Sequence, residues 1–321
     1  MLRLLSCLIL LFVLCVHVSA QLDLSRIPDT LSLFGKGVVS TRLNERDMAI
    51  SPDGREMYYT VISPVNSISA IMVCYLGDDG KWSRPAVIPF SGNYSDLEPA
   101  FSIDGKRMFF ASNRPVEGHD KKDFDIWVVE RQGNGKWSEA INIGAPVNTE
   151  QDEFYPSLAA NGNLYFTASY ASSKGKEDIY MARRAHDHYE KPVSLDSEVN
   201  SEKYEFNAFV SPDESFILFT SYGRKDDTGR GDLYISTKDA NDKWQPAKNL
   251  DAINSPYLDY CPYVSPDRKI FFFTSERREI PSQLTDRKLV YDDFIKMYTA
   301  IFNGSGNIFW ISFSKLMETV R

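Results

Sequence analysis

Five acidic residues recur at a nearly constant spacing and are the strongest candidates for chemistry in this chain. The intervals between them are 51, 57, 52 and 54 residues. Only 44 of the 321 residues are acidic, so five acidic residues at such regular intervals are not expected from chance. Such a ring could attract a cation, bind sugar hydroxyls or hold a basic peptide. The five residues are Glu45, Asp96, Glu153, Glu205 and Asp259.

A second column lies two residues after the first; it is polar in the first units and varies in the later ones. Its members are Asp47, Glu98, Tyr155, Asn207 and Cys261. Both columns lie where the chain enters the innermost strand of each unit, so in a ring of such units they are expected to surround one mouth of the central channel. The alternative is structural: each carboxylate accepts backbone N–H groups or pairs with a basic side chain of the next unit.

Arginines recur at another corner of the units and could be the counterparts of the acidic column. Arg114, Arg224 and the Arg277–Arg278 pair all follow a strongly apolar segment. They could bind an anionic ligand in bidentate fashion, or they could pair with the acidic ring. We include Arg114 and Arg277 with both columns' carboxylates as candidate ligand-binding residues.

Motifs for other catalytic chemistry are scarce. After the first twenty residues the histidines are His119, His186 and His188, and the last two alternate with Asp187 on a turn. The chain has no G-x-S-x-G, no H-E-x-x-H and no calcium loop of the D-x-D-x-D-G type, so no catalytic residue, metal or cofactor is predicted. A pair of ring carboxylates could still hydrolyse a glycoside.

A repeat of about fifty residues explains the spacing. Its five copies read AISPDGREMYYT (49–60), FSIDGKRMFFAS (101–112), LAANGNLYFTAS (158–169), VSPDESFILFTS (210–221) and VSPDRKIFFFTS (264–275). Each copy combines a short strand, a turn and an aromatic strand. A third strand follows, and an aromatic residue before Pro or Ala marks a fourth, at Trp82, Trp137, Tyr189 and Trp244.

Four strands per unit and five units predict an all-β, five-bladed β-propeller, with a sixth degenerate blade left open. The fifth unit lacks a fourth strand, whereas residues 36–44 resemble a segment between units. We therefore expect the N-terminal strand to pair with residues 307–313 and close the ring. Residues 276–306 break the pattern and predict a short helical insertion in the last blade. Leu289, Phe294, Met297 and Ile301 recur there at near-helical spacing, and Thr285–Asp286 could begin the helix.

The first twenty residues have the features of a secretory signal peptide, with cleavage after Ala20. The domain prediction is a signal peptide at 1–20, an extension at 21–35 and one propeller domain at 36–321. Charged residues number 36 basic and 44 acidic, which argues against nucleic acid as a partner. No later segment could span a membrane as a helix, and two remaining cysteines, Cys74 and Cys261, do not make a disulfide framework.

The SPDG phrase before an aromatic strand, followed by D-I-Y and K-W-x-x-P, resembles the PD40 or WD40-like repeat of TolB-type propellers. The resemblance covers residues 36–313. Over this range the chain is similar to exported single-domain members of the family that are common in Bacteroidetes-like bacteria. It implies the fold but no single activity, because members include both binding modules and domains of enzymes. We expect an exported monomer, periplasmic or extracellular, that binds a protein or glycan partner of the cell envelope at the channel mouth and long loops. The alternative is a carbohydrate-active enzyme.

Overall fold

The repeats fold into five four-stranded antiparallel sheets in a computed structural model that describes residues 22–116, 123–279 and 287–320. The strands are β1 (Ser32–Leu33), β2 (Asn44–Ile50), β3 (Glu56–Ile62), β4 (Ser69–Tyr75), β5 (Ala86–Val87), β6 (Asp96–Phe101), β7 (Arg107–Ser112), β8 (Asp125–Glu130), β9 (Ile141–Asn142), β10 (Glu153–Leu158), β11 (Leu164–Ala168), β12 (Asp178–Ala182), β13 (Arg184–Ala185), β14 (His188–Tyr189), β15 (Val193–Ser194), β16 (Tyr204–Val210), β17 (Phe216–Tyr222), β18 (Asp232–Thr237), β19 (Lys248–Asn249), β20 (Asp259–Val264), β21 (Ile270–Ser275) and β22 (Asn307–Ser312). The helices are α1 (Tyr291–Thr299) and α2 (Phe313–Thr319).

The sheets are the blades of a ring. Blades 1 to 4 have the orders β2-β3-β4-β5, β6-β7-β8-β9, β10-β11-β12-β15 and β16-β17-β18-β19, and blade 5 has the order β20-β21-β22-β1. The first strand of each blade packs beside the first strand of the next, and β20 packs beside β2 to complete the circle. The predicted five-bladed propeller is confirmed, without a sixth blade in the described ranges.

The ring is held together by apolar clusters between neighbouring blades. Tyr58 and Val73 of blade 1 pack with Phe110 and Trp127 of blade 2. Four similar clusters join blades 2 and 3, 3 and 4, 4 and 5, and 5 and 1. The aromatic strand of each repeat is therefore apolar on both faces because it has a neighbour on both sides.

The N-terminal segment closes the ring as the outermost strand of blade 5, but earlier in the chain than predicted. Ser32 pairs with Trp310 and Leu33 with Phe309, whereas the sequence placed the closing strand within residues 36–44. The reason is a turn that begins at Gly35, whose φ is +56°. The backbone N–H of Val39 donates to Gly35 O at 2.8 Å, so the chain turns there and pairing ends before it.

The insertion in blade 5 contains the predicted helix. This helix is α1, which begins at Tyr291 with Val290 as N-cap. The proposed start at Thr285–Asp286 lies outside the described residues, as do the predicted signal peptide and His119. No helix in the described ranges is long and apolar enough to cross a bilayer.

Candidate functional site

The first acidic column lies at the start of the innermost strands and is completely buried. Each of these carboxylates is at most 1% exposed. Four of them accept hydrogen bonds from the backbone N–H and the side-chain hydroxyl of the residue four positions earlier. Thr149 donates to Glu153 from its backbone N (3.2 Å) and Oγ1 (2.7 Å). Ser201 donates to Glu205 in the same way, with both distances 2.7 Å. These carboxylates fix the loop that leads into each blade.

The same arrangement holds Glu45 and Asp259, whereas Asp96 differs in detail. Thr41 donates its backbone N and Oγ1 to Glu45, and Ser255 donates its backbone N and Oγ to Asp259 at 2.6 and 2.7 Å. Asp96 instead accepts bonds from the hydroxyls of Ser91 (2.8 Å) and Ser112 (2.6 Å). Every member of the column is thus engaged by groups of its own blade or loop.

Three of the recurrent arginines, including the predicted site residues Arg114 and Arg277, contact these buried carboxylates. Arg114 Nη2 lies 2.6 Å from Asp96 Oδ1, and Arg277 Nη2 lies 3.5 Å from Asp259 Oδ1. Arg224 Nη2 lies 3.0 Å from Glu205 Oε1. Each guanidinium also lies over aromatic rings of its own blade, as Arg277 does over Phe309 at 5.0 Å. The structure therefore brings the arginines and the first column together as buried ion pairs.

No such arginine contacts Glu45 or Glu153 among the described residues, and their proton affinity is changed accordingly. Burial raises the pKa of both carboxyls to about 7, and the bonds from Thr41 and Thr149 oppose that rise. A carboxylate removed from water without a counter-charge holds its proton more tightly. Both groups therefore change charge near neutral pH.

A bulge in every innermost strand separates the second column from the first. The register of β2 against β3 shifts between Arg46 and Ala49, and the corresponding shift occurs in blades 2 to 5. The second-column residue has a left-handed φ in each blade, between 49° and 62°. The bulge breaks the two-residue alternation. The first column therefore faces into the blades while the second column faces the channel.

The second-column side chains meet in the middle of the channel. The thiol of Cys261 donates to Asp47 Oδ1 at 2.8 Å, and the amide of Asn207 donates to Glu98 Oε1 at 3.3 Å. The backbone N–H of Tyr155 donates to Glu98 Oε2 at 2.7 Å. The five blades thus contribute to one connected polar group, which we call the central cluster: Asp47, Glu98, Tyr155, Asn207 and Cys261, with Arg46.

Arg46 joins the two carboxylates of the central cluster. Its Nε donates to Asp47 Oδ1 and its Nη2 to Glu98 Oε1, both at 2.6 Å. Its guanidinium lies 5.0 Å from the ring centre of Tyr260. Arg46 is not part of a repeated pattern, because the equivalent residues in the other blades are apolar or aromatic: Leu97, Phe154, Phe206 and Tyr260. The isolated basic residue in an otherwise apolar column was the available clue.

Desolvation dominates the protonation equilibria at the centre. Burial raises the pKa of Glu98 to about 8; the charge of Arg46 opposes the rise and that of Asp47 adds to it. Burial also raises the pKa of the Cys261 thiol, again against the influence of Arg46. Cys261 is thus held as a thiol, which is the form that donates to Asp47.

An apolar funnel opens from the central cluster towards one end of the channel. It is a cavity of about 130 Å³. Asp47, Glu98 and Tyr155 form its polar floor. Its wall is mostly apolar, and its rim is formed by the turns between the first and second strands. Wall and rim residues include Ile50, Pro52, Ala100, Phe101, Ile103, Leu158, Phe209, Pro212, Phe216, Tyr263, Pro266 and Arg268.

The funnel and the long loops lie at opposite ends of the channel. Glu45 pairs with Val61 near the end of β3, so the first column is on the side of the loops that join second to third strands. The funnel is on the side of the SPDG turns. The single combined mouth expected from sequence is therefore two separate surfaces. On the loop side, Tyr170 is half-buried and donates its hydroxyl to Val147 O at 2.6 Å, whereas Tyr222 is exposed.

The remaining predicted features lie on the surface. His186 and His188 belong to the β13–β14 hairpin, and no group of three potential metal ligands occurs in the described part of the chain. α1 was predicted as a packing element, and Met297 is half-buried, but Phe294 is 47% exposed. Tyr291 and Tyr298 on the same helix are also exposed.

Comparisons with known proteins identify the fold. No protein-family model and no curated protein sequence matches the chain. Among solved structures, an endo-arabinase from Bacteroides thetaiotaomicron has a TM-score of 0.51 and 16% identity over 78% of this chain and 98% of that one. A structure described as a glycoside hydrolase has a TM-score of 0.54 and 8% identity, over 91% of this chain and 90% of that one. A putative TolB from Agrobacterium tumefaciens has a TM-score of 0.48 and 14% identity, with coverages of 84% and 90%.

At this level of identity the first two similarities support the propeller architecture and no particular activity. The chain is therefore a five-bladed β-propeller with an arginine-bridged polar centre and an apolar funnel at one end of its channel.

Proposed function

We propose that this protein is an exported, non-catalytic β-propeller that binds a protein partner of the cell envelope through the funnel. The observation that carries the proposal is the funnel itself, an apolar concavity above a polar floor. Binding sites commonly combine a mostly apolar wall with a few convergent polar groups. The wall is rich in proline and aromatic side chains, which favours an apolar protein segment over a hydroxyl-rich glycan.

The carboxylates support binding rather than catalysis. The first-column groups are fully buried and already accept bonds from their own loops, so they are poorly placed to contact a substrate. In the central cluster, Asp47 and Glu98 are both joined to Arg46 at 2.6 Å. Both oxygens of Glu98 accept hydrogen bonds.

Matched charge substitutions test the site. Ile103 is 43% exposed at the funnel rim, and Ile141 is 56% exposed on the outer strand β9. The parent chain and the variants would be used as bait in pull-downs from envelope extract. Ile103→Asp should capture at least about tenfold less of the partner than the parent does, because the new carboxylate would be desolvated on binding. Ile141→Asp should capture it normally. Equal capture by both variants would exclude the funnel as the binding surface.

A carbohydrate-active enzyme is the second candidate, and one observation favours it. The pKa of Glu98, about 8, would leave it protonated at neutral pH, as a general acid requires. Reducing ends released from a polysaccharide panel would be measured for the parent, Glu98→Gln and Glu153→Gln. We expect no turnover from the parent. Turnover that is lost in Glu98→Gln and kept in Glu153→Gln would instead establish the enzyme.

A further inference from the structure

We propose that the funnel accepts a primary ammonium group carried on an apolar stem, with Asp47 as the acceptor at the floor. This inference rests on the proposed function, because it takes the funnel as the binding site, and it specifies the chemistry of the occupant. The class includes a lysine side chain, the amino terminus of a polypeptide beside an apolar residue, and a free alkylamine.

The first support is an unused oxygen of Asp47. Oδ1 accepts bonds from Arg46 Nε at 2.6 Å and from the Cys261 thiol at 2.8 Å. Oδ2 is buried and has no hydrogen-bond partner among the described residues. Asp47 is 2% exposed and lines the floor of the funnel. A buried carboxylate oxygen without a donor is costly, and a ligand donor would remove that cost.

The second support is the room above that oxygen. The cavity of about 130 Å³ exceeds what one ordered water needs. Its wall above the floor is apolar, with Ile50, Ala100 and Leu158 among the lining residues. An alkyl stem would bury apolar surface against this wall while its terminal group reached Asp47.

The third support is the local charge. Arg46 supplies one positive charge, which it shares between Asp47 and Glu98. The groups that contact Glu98 from Arg46, Tyr155 and Asn207 are all hydrogen-bond donors, which suits its ionised form. Because the pKa of Glu98 is raised to about 8, the three side chains have a net charge of about zero while Glu98 holds its proton and about −1 once it is released, so a bound cation favours release of that proton. A charge-assisted bond to Asp47 is also stronger than a bond from a neutral hydroxyl.

The experiment compares n-butylammonium with n-butanol, which has the same apolar stem and a neutral donor. The chain beginning at Gln21 would be labelled with ¹³C at its methionine methyl groups and titrated in the NMR spectrometer. Met48 lines the funnel, whereas Met181 lies on β12 away from it. We expect a saturable shift of the Met48 signal with n-butylammonium, little change at Met181, and at least about tenfold weaker binding of n-butanol.

Two variants separate a specific acceptor from general electrostatic attraction. Asp47→Asn keeps the shape and tolerates the left-handed backbone at φ 60° because asparagine adopts that region readily. It should weaken n-butylammonium binding at least about tenfold. Asp104→Asn removes a negative charge from an exposed rim turn and should leave the affinity unchanged. If Asp47→Asn does not fold, the comparison of the two probes in the parent chain decides.

Three results would overturn the proposal: no saturable Met48 shift with n-butylammonium, equal affinity for n-butanol, or unchanged affinity in folded Asp47→Asn. Competition with N-acetyl-lysine methylamide and with leucine methylamide, which has a free amino group, identifies the source of the ammonium. If neither displaces n-butylammonium, a free alkylamine is the ligand class. Loss of partner capture in Ile103→Asp together with a failed n-butylammonium titration would reject this inference alone and leave the proposed function standing.

Discussion

Replacement of Phe34 by alanine tests how strongly the N-terminal segment locks the ring. Phe34 follows the closing strand β1, is 1% exposed, and donates its backbone N–H to Ile308 O at 2.8 Å. Its ring centre lies 5.1 Å from those of Phe272 and Trp310, in edge-on geometry with both. The side chain thus fills the junction between blade 5 and blade 1 with aromatic contacts.

The magnitude follows from burial. Truncation of a buried phenylalanine to alanine costs about 3–5 kcal/mol through lost burial and the cavity it leaves. For a chain of about 300 residues the entropy of unfolding is about 0.6 kcal/mol per kelvin. Phe34→Ala should therefore lower the Tm by about 6 °C.

Thermal unfolding followed by circular dichroism measures the effect, and Phe294→Ala is the matched control. The same atoms are removed from a side chain that is 47% exposed on α1, so the cost should be below about 1 kcal/mol. Equal shifts in the two variants would refute the view that the junction around Phe34 is a tightly packed part of the closed ring.

Three further predictions concern burial and charge. Burial raises the pKa of Glu153 from 4.5 to about 7, so the folded chain binds this proton more tightly than the unfolded chain. The resulting stability is lost as pH rises between those values, and Glu153→Gln should flatten that slope by up to about 1.4 kcal/mol per pH unit in urea unfolding. Arg131→Lys, which breaks a bidentate pair between blades 1 and 2, should cost about 1–2 kcal/mol, whereas Arg55→Lys at an exposed pair should cost below about 0.5 kcal/mol. Cys74 and Cys261 are both free and fully buried, and burial raises the pKa of each thiol; neither should react with a thiol reagent before unfolding.

Each of these has a clear contrary result. An unchanged pH slope in Glu153→Gln would mean that the carboxyl titrates alike in both states. Equal costs for Arg131→Lys and Arg55→Lys would show that the contact between blades adds nothing beyond a surface pair. Modification of Cys261 by the thiol reagent in the folded chain beginning at Gln21, faster than the chain unfolds, would show that the channel centre opens to solvent.

The repeated phrase was sufficient to predict the scaffold. Turn residues and aromatic strands recur at near-constant spacing, and each predicted four-stranded unit became one blade. Trp82, Trp137 and Trp244 form bridges with Leu76, Arg131 and Lys238 just before the short fourth strands. The position of β1 was harder to predict, because its two residues repeat nothing elsewhere and the turn at Gly35 sets where pairing ends.

The site could be predicted in composition but not in orientation. Both columns were identified by their spacing, yet Glu45 and Asp47 were expected at the same mouth of the channel. The bulge instead turns the two columns in different directions. Its backbone mark is a left-handed residue in each innermost strand. Asp and Asn are common in that conformation, but Tyr155 and Cys261 are not, so the residue types do not reveal the bulge. Arg46 was missed because repeat alignment highlights what recurs, and its role depends on being unique.

The bulge at the channel has a consequence for specificity. Five identical blades would present a guest with five equivalent poses and no reason to prefer one. Here the backbone has near-fivefold symmetry, but the residue in the second column differs in every blade: Asp47, Glu98, Tyr155, Asn207 and Cys261. A pseudo-symmetric ring of blades with an asymmetric central cluster gives a bound molecule a single preferred orientation. Because each blade contributes one of these side chains, a substitution in a single blade changes which orientation is preferred.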